Sequence, residues 1–269
     1  GAPLVVITND LATKVADKTG LPVYVCMRYA NPTPKSAFQK IALKHPDATE
    51  VILVPLYPHY AMSSYETAVE HVQHAHKTGG YGFQLRVVPP FYNDELYLNA
   101  LAESIRPSLS NDFDHLLFSY HGVPERHIFK TDATGNHCLK SHDCCETASP
   151  VHKKCYRHQV KETTRLVANL LGVSEKKYSI SFQSRLGTDQ WLGPSTSKVL
   201  AQMPKDGVKK LVVVCPAFVS DCLETLEEIH EEGRETFIKA GGASYTVIPC
   251  LNTNDTWVDA IDNLIHKAE

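Results

Sequence analysis

What most constrains this chain is a rhythm. Short apolar runs alternate with amphipathic stretches almost from end to end, the pattern of repeated βα units whose strands form parallel sheets covered by helices. The runs PVYVCMRY (22–29), EVILVPLY (50–57), FQLRVVPP (83–90), HLLFSYHG (115–122), KYSISFQS (177–184), KLVVVCPA (210–217) and SYTVIPC (244–250) are expected as strands. Helices are expected near 34–45, 64–78, 93–106, 156–171, 195–203, 223–240 and 254–268. The rhythm falls into two halves with no Gly/Ser-rich linker between them. A length of 269 residues suits one large domain or two similar halves. The expected fold is therefore α/β, two Rossmann-like lobes with parallel sheets flanked by helices, the first over 1–110 and the second over 111–269.

Composition removes several function classes. With 43% hydrophobic and 21% charged residues the chain is an ordinary globular one, and a net charge of −3 leaves no broad basic surface for a nucleic-acid backbone. No apolar run approaches the roughly 18–20 residues that span a bilayer, and the opening GAPLVVITNDLATK lacks the basic-then-apolar order of a signal peptide. A cytoplasmic location is expected, with peripheral membrane contact left open; oligomeric state leaves no mark in the sequence.

In Rossmann-like lobes ligands bind beyond the carboxyl ends of the strands. His121 closes the run HLLFSY at such an end, where an imidazole can exchange protons near neutral pH or ligate a metal. The plainer alternative is a histidine held by a nearby backbone carbonyl. After KLVVVCPA comes SDCLETLEEIHEEGRE, in which Glu224, Glu228 and Glu232 recur every four residues along one helix face. Such a stripe is commonly just solvated, but an acidic row leading inward also suits a divalent cation. Trp191, in the turn WLGP, either packs across a loop or walls a flat aromatic ligand, with Tyr29, Tyr57 and Tyr60 as further candidates.

One segment, 129–155, breaks the rhythm and reads as an inserted loop. It carries Cys138, Cys144, Cys145 and Cys155 in the spacing C-x5-C-C-x9-C, which matches no zinc-ribbon or ferredoxin pattern. Four thiols so close in a large chain point to metal rather than to disulfides. Thiolates suit either a [2Fe–2S] cluster or zinc, and His137, His142 and His152 keep a mixed ligand set open.

Taken together and in order, GAP (1–3), MRY (27–29), PLYPHY (55–60), SYHGVPER (119–126), FQSRLG (182–187), WLGP (191–194) and PAFVSDCLETLEE (216–228) resemble the ferrochelatase family. The resemblance implies a chelatase-like fold with a porphyrin held between two lobes, and insertion of ferrous iron (Fe2+) to form haem, protoporphyrin IX being the favoured ring. It implies His121 and Glu224 as catalytic and metal-facing residues, Glu228 and Glu232 as the continuing iron path, and Arg28, Tyr29, Tyr57 and Trp191 as porphyrin contacts. It also implies a strand and a lip ahead of the opening GAP that are absent from this sequence. Cys222 stands where many relatives carry histidine. Iron rather than zinc on the cysteines is likewise what the resemblance favours, although family members with a [2Fe–2S] cluster draw on a C-terminal cysteine group not found here. A cobalt chelatase of corrin synthesis and a non-catalytic tetrapyrrole- or metal-binding protein are the alternatives; WLGP and SDxxET favour the iron enzyme.

Overall fold

Residues 2–109, 112–185 and 187–269 are described by a computed structural model of the chain. Gly1 of the opening motif, Leu186 of FQSRLG and the expected lobe boundary at 110–111 lie outside the described residues.

Two parallel sheets form. Strands β1 (Glu50–Leu53) and β2 (Gln84–Val87) pair with Val51 beside Leu85. Strands β3 (His115–His121), β4 (Tyr178–Gln183), β5 (Lys210–Val214) and β6 (Ser244–Val247) make the second sheet in the order β4-β3-β5-β6. Helices α1 (Pro3–Thr19), α2 (Pro34–Lys44), α3 (Thr67–Gly79), α4 (Glu95–Leu109), α5 (Glu125–Thr131), α6 (Tyr156–Leu171), α7 (Thr196–Gln202), α8 (Gly233–Lys239) and α9 (Asp255–Ile265) account for the described α-helical residues. Strand β3 is central and covered on both faces, so Leu116 to Tyr120 are all buried. Its Leu116, Phe118 and Tyr120 share one core with Tyr97 of α4, Val160 of α6, Trp257 of α9 and Leu11 and Val15 of α1.

That core crosses between the two halves of the chain. Helix α9 returns to α1 through Lys14–Asp255 and Lys18–Asp259, and Glu269 exchanges backbone hydrogen bonds of 2.8 and 3.0 Å with Val87 at the end of β2. The end of the second half is thereby fastened to the first sheet. Among the described residues, no helix is long and apolar enough to cross a membrane.

The structure differs from these expectations in four places. Residues 22–29 run extended but form no strand: among the described residues the amides of Val23 to Cys26 have no backbone acceptor, and a cavity lies against both this segment and β1. Apolar β-formers need a ladder partner, and none stands beside them. Helix α1 was not expected from its Val-Val-Ile-Thr opening; a proline at its start and Gly20 at φ +70°, whose amide bonds Ala16 O, close it at both ends. The insert is not wholly irregular, since α5 ends at Thr131 and a 3₁₀ turn spans Pro150–Lys154. The helix expected over 223–240 is present, but its first part, Glu224–Glu232, is wound as a π-helix.

Candidate functional site

His121 is the last residue of β3, and the buried strand behind it fixes where its ring emerges. The ring Nδ1 lies 2.6 Å from Gly122 O. A carbonyl oxygen only accepts, so Nδ1 carries the proton and Nε2 presents its lone pair. Nε2 faces Glu224 Oε1 at 3.7 Å, too far for a direct hydrogen bond, and both side chains remain nearly half exposed. Glu224 also accepts from the Cys222 thiol at 3.2 Å, and burial pushes that thiol up to about 11, keeping it a donor. The turn after His121 is tight: a Cβ on Gly122 would stand 2.8 Å from Gln183 O.

His121 and Glu224 open into a cavity of about 960 Å³ that Arg28, Tyr29 and Tyr57 also line. Its size is within the range of cofactor and substrate pockets. Burial pushes the Tyr57 hydroxyl up, and Tyr29, Arg28 and Glu224 are all within its electrostatic reach. The Arg28 guanidinium sits 4.7 Å over the Tyr29 ring. Trp191 is placed differently, packed beside Gly122 and bridged to Pro124. It therefore backs the histidine turn and is not among the cavity's lining residues.

Of the acidic row, only Glu224 reaches the cavity. Glu228 accepts from Ser184 N at 2.8 Å and Ser184 Oγ at 2.6 Å, which holds Ser184 at a left-handed φ of 60°. Glu232 is exposed at the far end of the π-helix.

The cysteine loop is a separate construction. Cys138, Cys144, Cys145 and Cys155 are all free and all buried, with exposures of 2–5%. Cys138 and Cys145 lie within electrostatic reach of Cys155, and Arg157 Nη1 donates to Cys144 Sγ and Cys145 Sγ at 3.3 and 3.4 Å. Burial pushes the Cys138 thiol up; the neighbouring Cys155 thiol, with burial second, does the same for Cys145. Among the described residues no group of three or more His, Cys, Asp or Glu side chains is set in a shell ready for a metal ion. In kind, four buried thiols within one loop are side chains that a metal favouring thiolates would take. His137 and His152 do not point at the sulfurs: both Nε2 atoms bond Cys144 O.

Several residues in this architecture carry no signal in sequence. Asp132 caps the loop, its two oxygens accepting from the amides of Thr134, Gly135, His137 and Cys138 and from the Thr134 hydroxyl. Burial opposes its charge, but those donors prevail and hold its carboxyl well below the usual range. Tyr156 donates its hydroxyl to His121 O at 2.8 Å, a pairing of residues 35 positions apart that no motif announces.

A family profile described as Ferrochelatase matches residues 1–269. The Ferrochelatase of Opitutus terrae is 43% identical over 98% of this chain and 77% of its own length, and that of Pseudomonas fluorescens Pf0-1 is 45% identical over all of this chain and 79% of its own. In structure, SirB from Bacillus subtilis with Fe3+ superposes with a TM-score of 0.65 over 99% of this chain and 91% of that one, at 14% identity, a likeness of fold.

Proposed function

The chain belongs to the ferrochelatase family and inserts ferrous iron into a porphyrin to form haem, and from that premise we propose that His121 and Glu224 carry the exchange of two protons for the metal. The reaction is balanced without electrons: two pyrrole N–H protons leave as Fe2+ enters. With Nδ1–H committed to Gly122 O, His121 accepts a proton at Nε2. The imidazolium so formed faces the Glu224 carboxylate across 3.7 Å, which stabilises it and gives the proton an exit. Arg28, Tyr29 and Tyr57 bind the apolar ring, whose binding energy can hold it nonplanar so that its nitrogen lone pairs are exposed. Trp191 supports this wall from behind. Glu232 and Glu228 lead iron toward Glu224, Glu228 keeping lone pairs free while Ser184 occupies part of its carboxylate.

Cys138, Cys144, Cys145 and Cys155 are read as ligands of a resident [2Fe–2S] cluster, with zinc as the alternative; their joint burial within one eighteen-residue stretch supports this. Such a group, when bound, would cross-link the loop, since metal insertion involves no net redox step. A cytoplasmic enzyme touching a membrane surface completes the reading, supported by the exposure of Tyr29, Leu43 and Leu223.

The observation that carries the assignment is His121, held through Nδ1 by Gly122 O, with its Nε2 facing Glu224 across 3.7 Å at a large cavity. Anaerobic incubation with porphyrin and ferrous iron tests it. The wild-type chain should form haem, and His121→Ala should bind porphyrin yet form none; near-normal turnover in that variant would remove His121 from the mechanism.

A further inference from the structure

We propose that Tyr156 is a positioning residue for His121, and that through it the cysteine loop governs the geometry of the proton-accepting imidazole. The proposal rests on the reading of His121 and of the cysteines given above.

The route is short and continuous. Tyr156 follows Cys155 directly and is the first residue of α6. It is buried, and its hydroxyl donates to His121 O at 2.8 Å. The peptide group joining His121 to Gly122 is thereby gripped on both sides, its carbonyl by Tyr156 and its N–H by Gln183 O at 2.8 Å. The next carbonyl, Gly122 O, is the one that orients the imidazole through Nδ1. Any tilt of this peptide swings the ring, and with it the Nε2 lone pair.

At the other end, Cys155 immediately precedes Tyr156 and is buried in the loop together with Cys138, Cys144 and Cys145. Whatever draws the four sulfurs together pulls on the backbone immediately before Tyr156. One turn further along α6, the fully buried Gln159 strengthens the same junction. Its Nε2 donates to Lys153 O at 2.9 Å and His152 O at 3.3 Å, while its Oε1 accepts from Tyr60 N at 2.6 Å. The first turn of α6 therefore braces the loop against both walls of the cleft, the His121 turn and the Tyr57–Tyr60 segment. A fully satisfied polar junction of this kind has few alternative arrangements, which lets it transmit a displacement instead of absorbing it.

A tyrosine that merely satisfied its hydroxyl would affect stability alone, so the test reads the histidine itself. In the full-length holoprotein, Tyr156→Phe keeps the ring and deletes the donor. We expect kcat to fall about three- to tenfold, the scale of one hydrogen bond, with KM for porphyrin and iron within about twofold and visible absorption unchanged. The His121 ring resonances, assigned with isotopically labelled histidine and the His121→Ala spectrum, should shift. Cys155→Ser should shift the same resonances in the Tyr156 protein and much less in the Tyr156→Phe background. If Tyr156→Phe does not fold, 3-fluorotyrosine at position 156 retains the shape while altering donor strength, and it too should move them. Unmoved resonances with unchanged kcat would overturn the proposal, as would a Cys155→Ser shift of equal size in both backgrounds. Metal and sulfide analysis of the wild-type protein judges the cluster reading separately: zinc or empty thiols would overturn the iron–sulfur assignment and leave the Tyr156 measurement standing.

Discussion

The cleft and the cysteine loop both carry side chains of metal-ligating type, and they treat them in opposite ways. At the cleft, His121 and Glu224 are 40% and 45% exposed and stand 3.7 Å apart, held from behind but without a direct bond to each other. In the loop, the cysteines are 2–5% exposed, and Arg157 already bonds the sulfurs of Cys144 and Cys145. A site that must take and release its cation every turnover benefits from donors kept open. A site for a resident group gains by burying its donors, because binding energy there becomes folding energy. Cleft substitutions should accordingly change rate without stability, and loop substitutions should change stability and colour first.

The sharpest way to break that contrast is at His121. His121→Ala should lower kcat by about a hundredfold or more, the range of general base catalysis, while thermal unfolding and porphyrin binding stay close to wild type. A large loss of stability would mean that the imidazole is a packing element. Glu224→Gln should also lower kcat, by less, because it acts on His121 across a gap; calorimetry should again show little change.

The loop should behave in the opposite sense. Cys138→Ser and Cys155→Ser should bleach the purified protein and lower its melting temperature, whereas Cys26→Ser and Cys250→Ser, outside the loop, should leave the colour intact. Asp132→Ala removes the acceptor for four amides and should cost about 2–3 kcal/mol. Because the folded Asp132 carboxyl sits below its unfolded value, its contribution is fully present above the ordinary carboxylate pKa. It is lost as pH falls through the lower folded value. Denaturation of wild type and variant should therefore converge only in strong acid; a difference that vanished already near neutrality would assign the stabilisation to another group.

The two regions also differed in how far they could be read from sequence. The placement of His121 at the cavity was legible because it closes an apolar run that buries itself as a strand, and that of Glu224 because it opens the acidic recurrence in the segment after β5. The four cysteines were legible by proximity alone, but their partners were not: Arg157, Asp132 and Tyr156 act through contacts that depend on how the loop folds back. Residues 22–29 misled because β-propensity describes a side-chain preference, and a strand also requires a neighbouring edge. Helix α1 misled for the converse reason, its β-branched opening being overridden by the end caps and by Leu11 and Val15 falling four apart on the buried face. The π-winding of 224–232 leaves the four-residue recurrence of the glutamates unchanged in sequence, so nothing there distinguishes it from an ordinary helix.

The smallest expected effect lies at Glu232, and it tests whether the acidic row serves the open site at all. Glu232 is exposed, eight residues from Glu224 along the π-helix, and touches neither cavity nor loop. Its charge can act on Fe2+ only through solvent, where attraction between exposed charges is weak and screened by salt. Glu232→Gln should raise KM for iron by about twofold at low ionic strength, leave kcat unchanged, and become indistinguishable from wild type at about 0.5 M salt, where the screening length falls to a few ångströms. Glu228→Gln should behave differently, because it also weakens the hold on Ser184 at its left-handed φ and so lowers stability as well. A KM for iron that ignores both Glu232 and salt would reduce the row to an ordinary solvated helix face and confine metal capture to the His121–Glu224 pair.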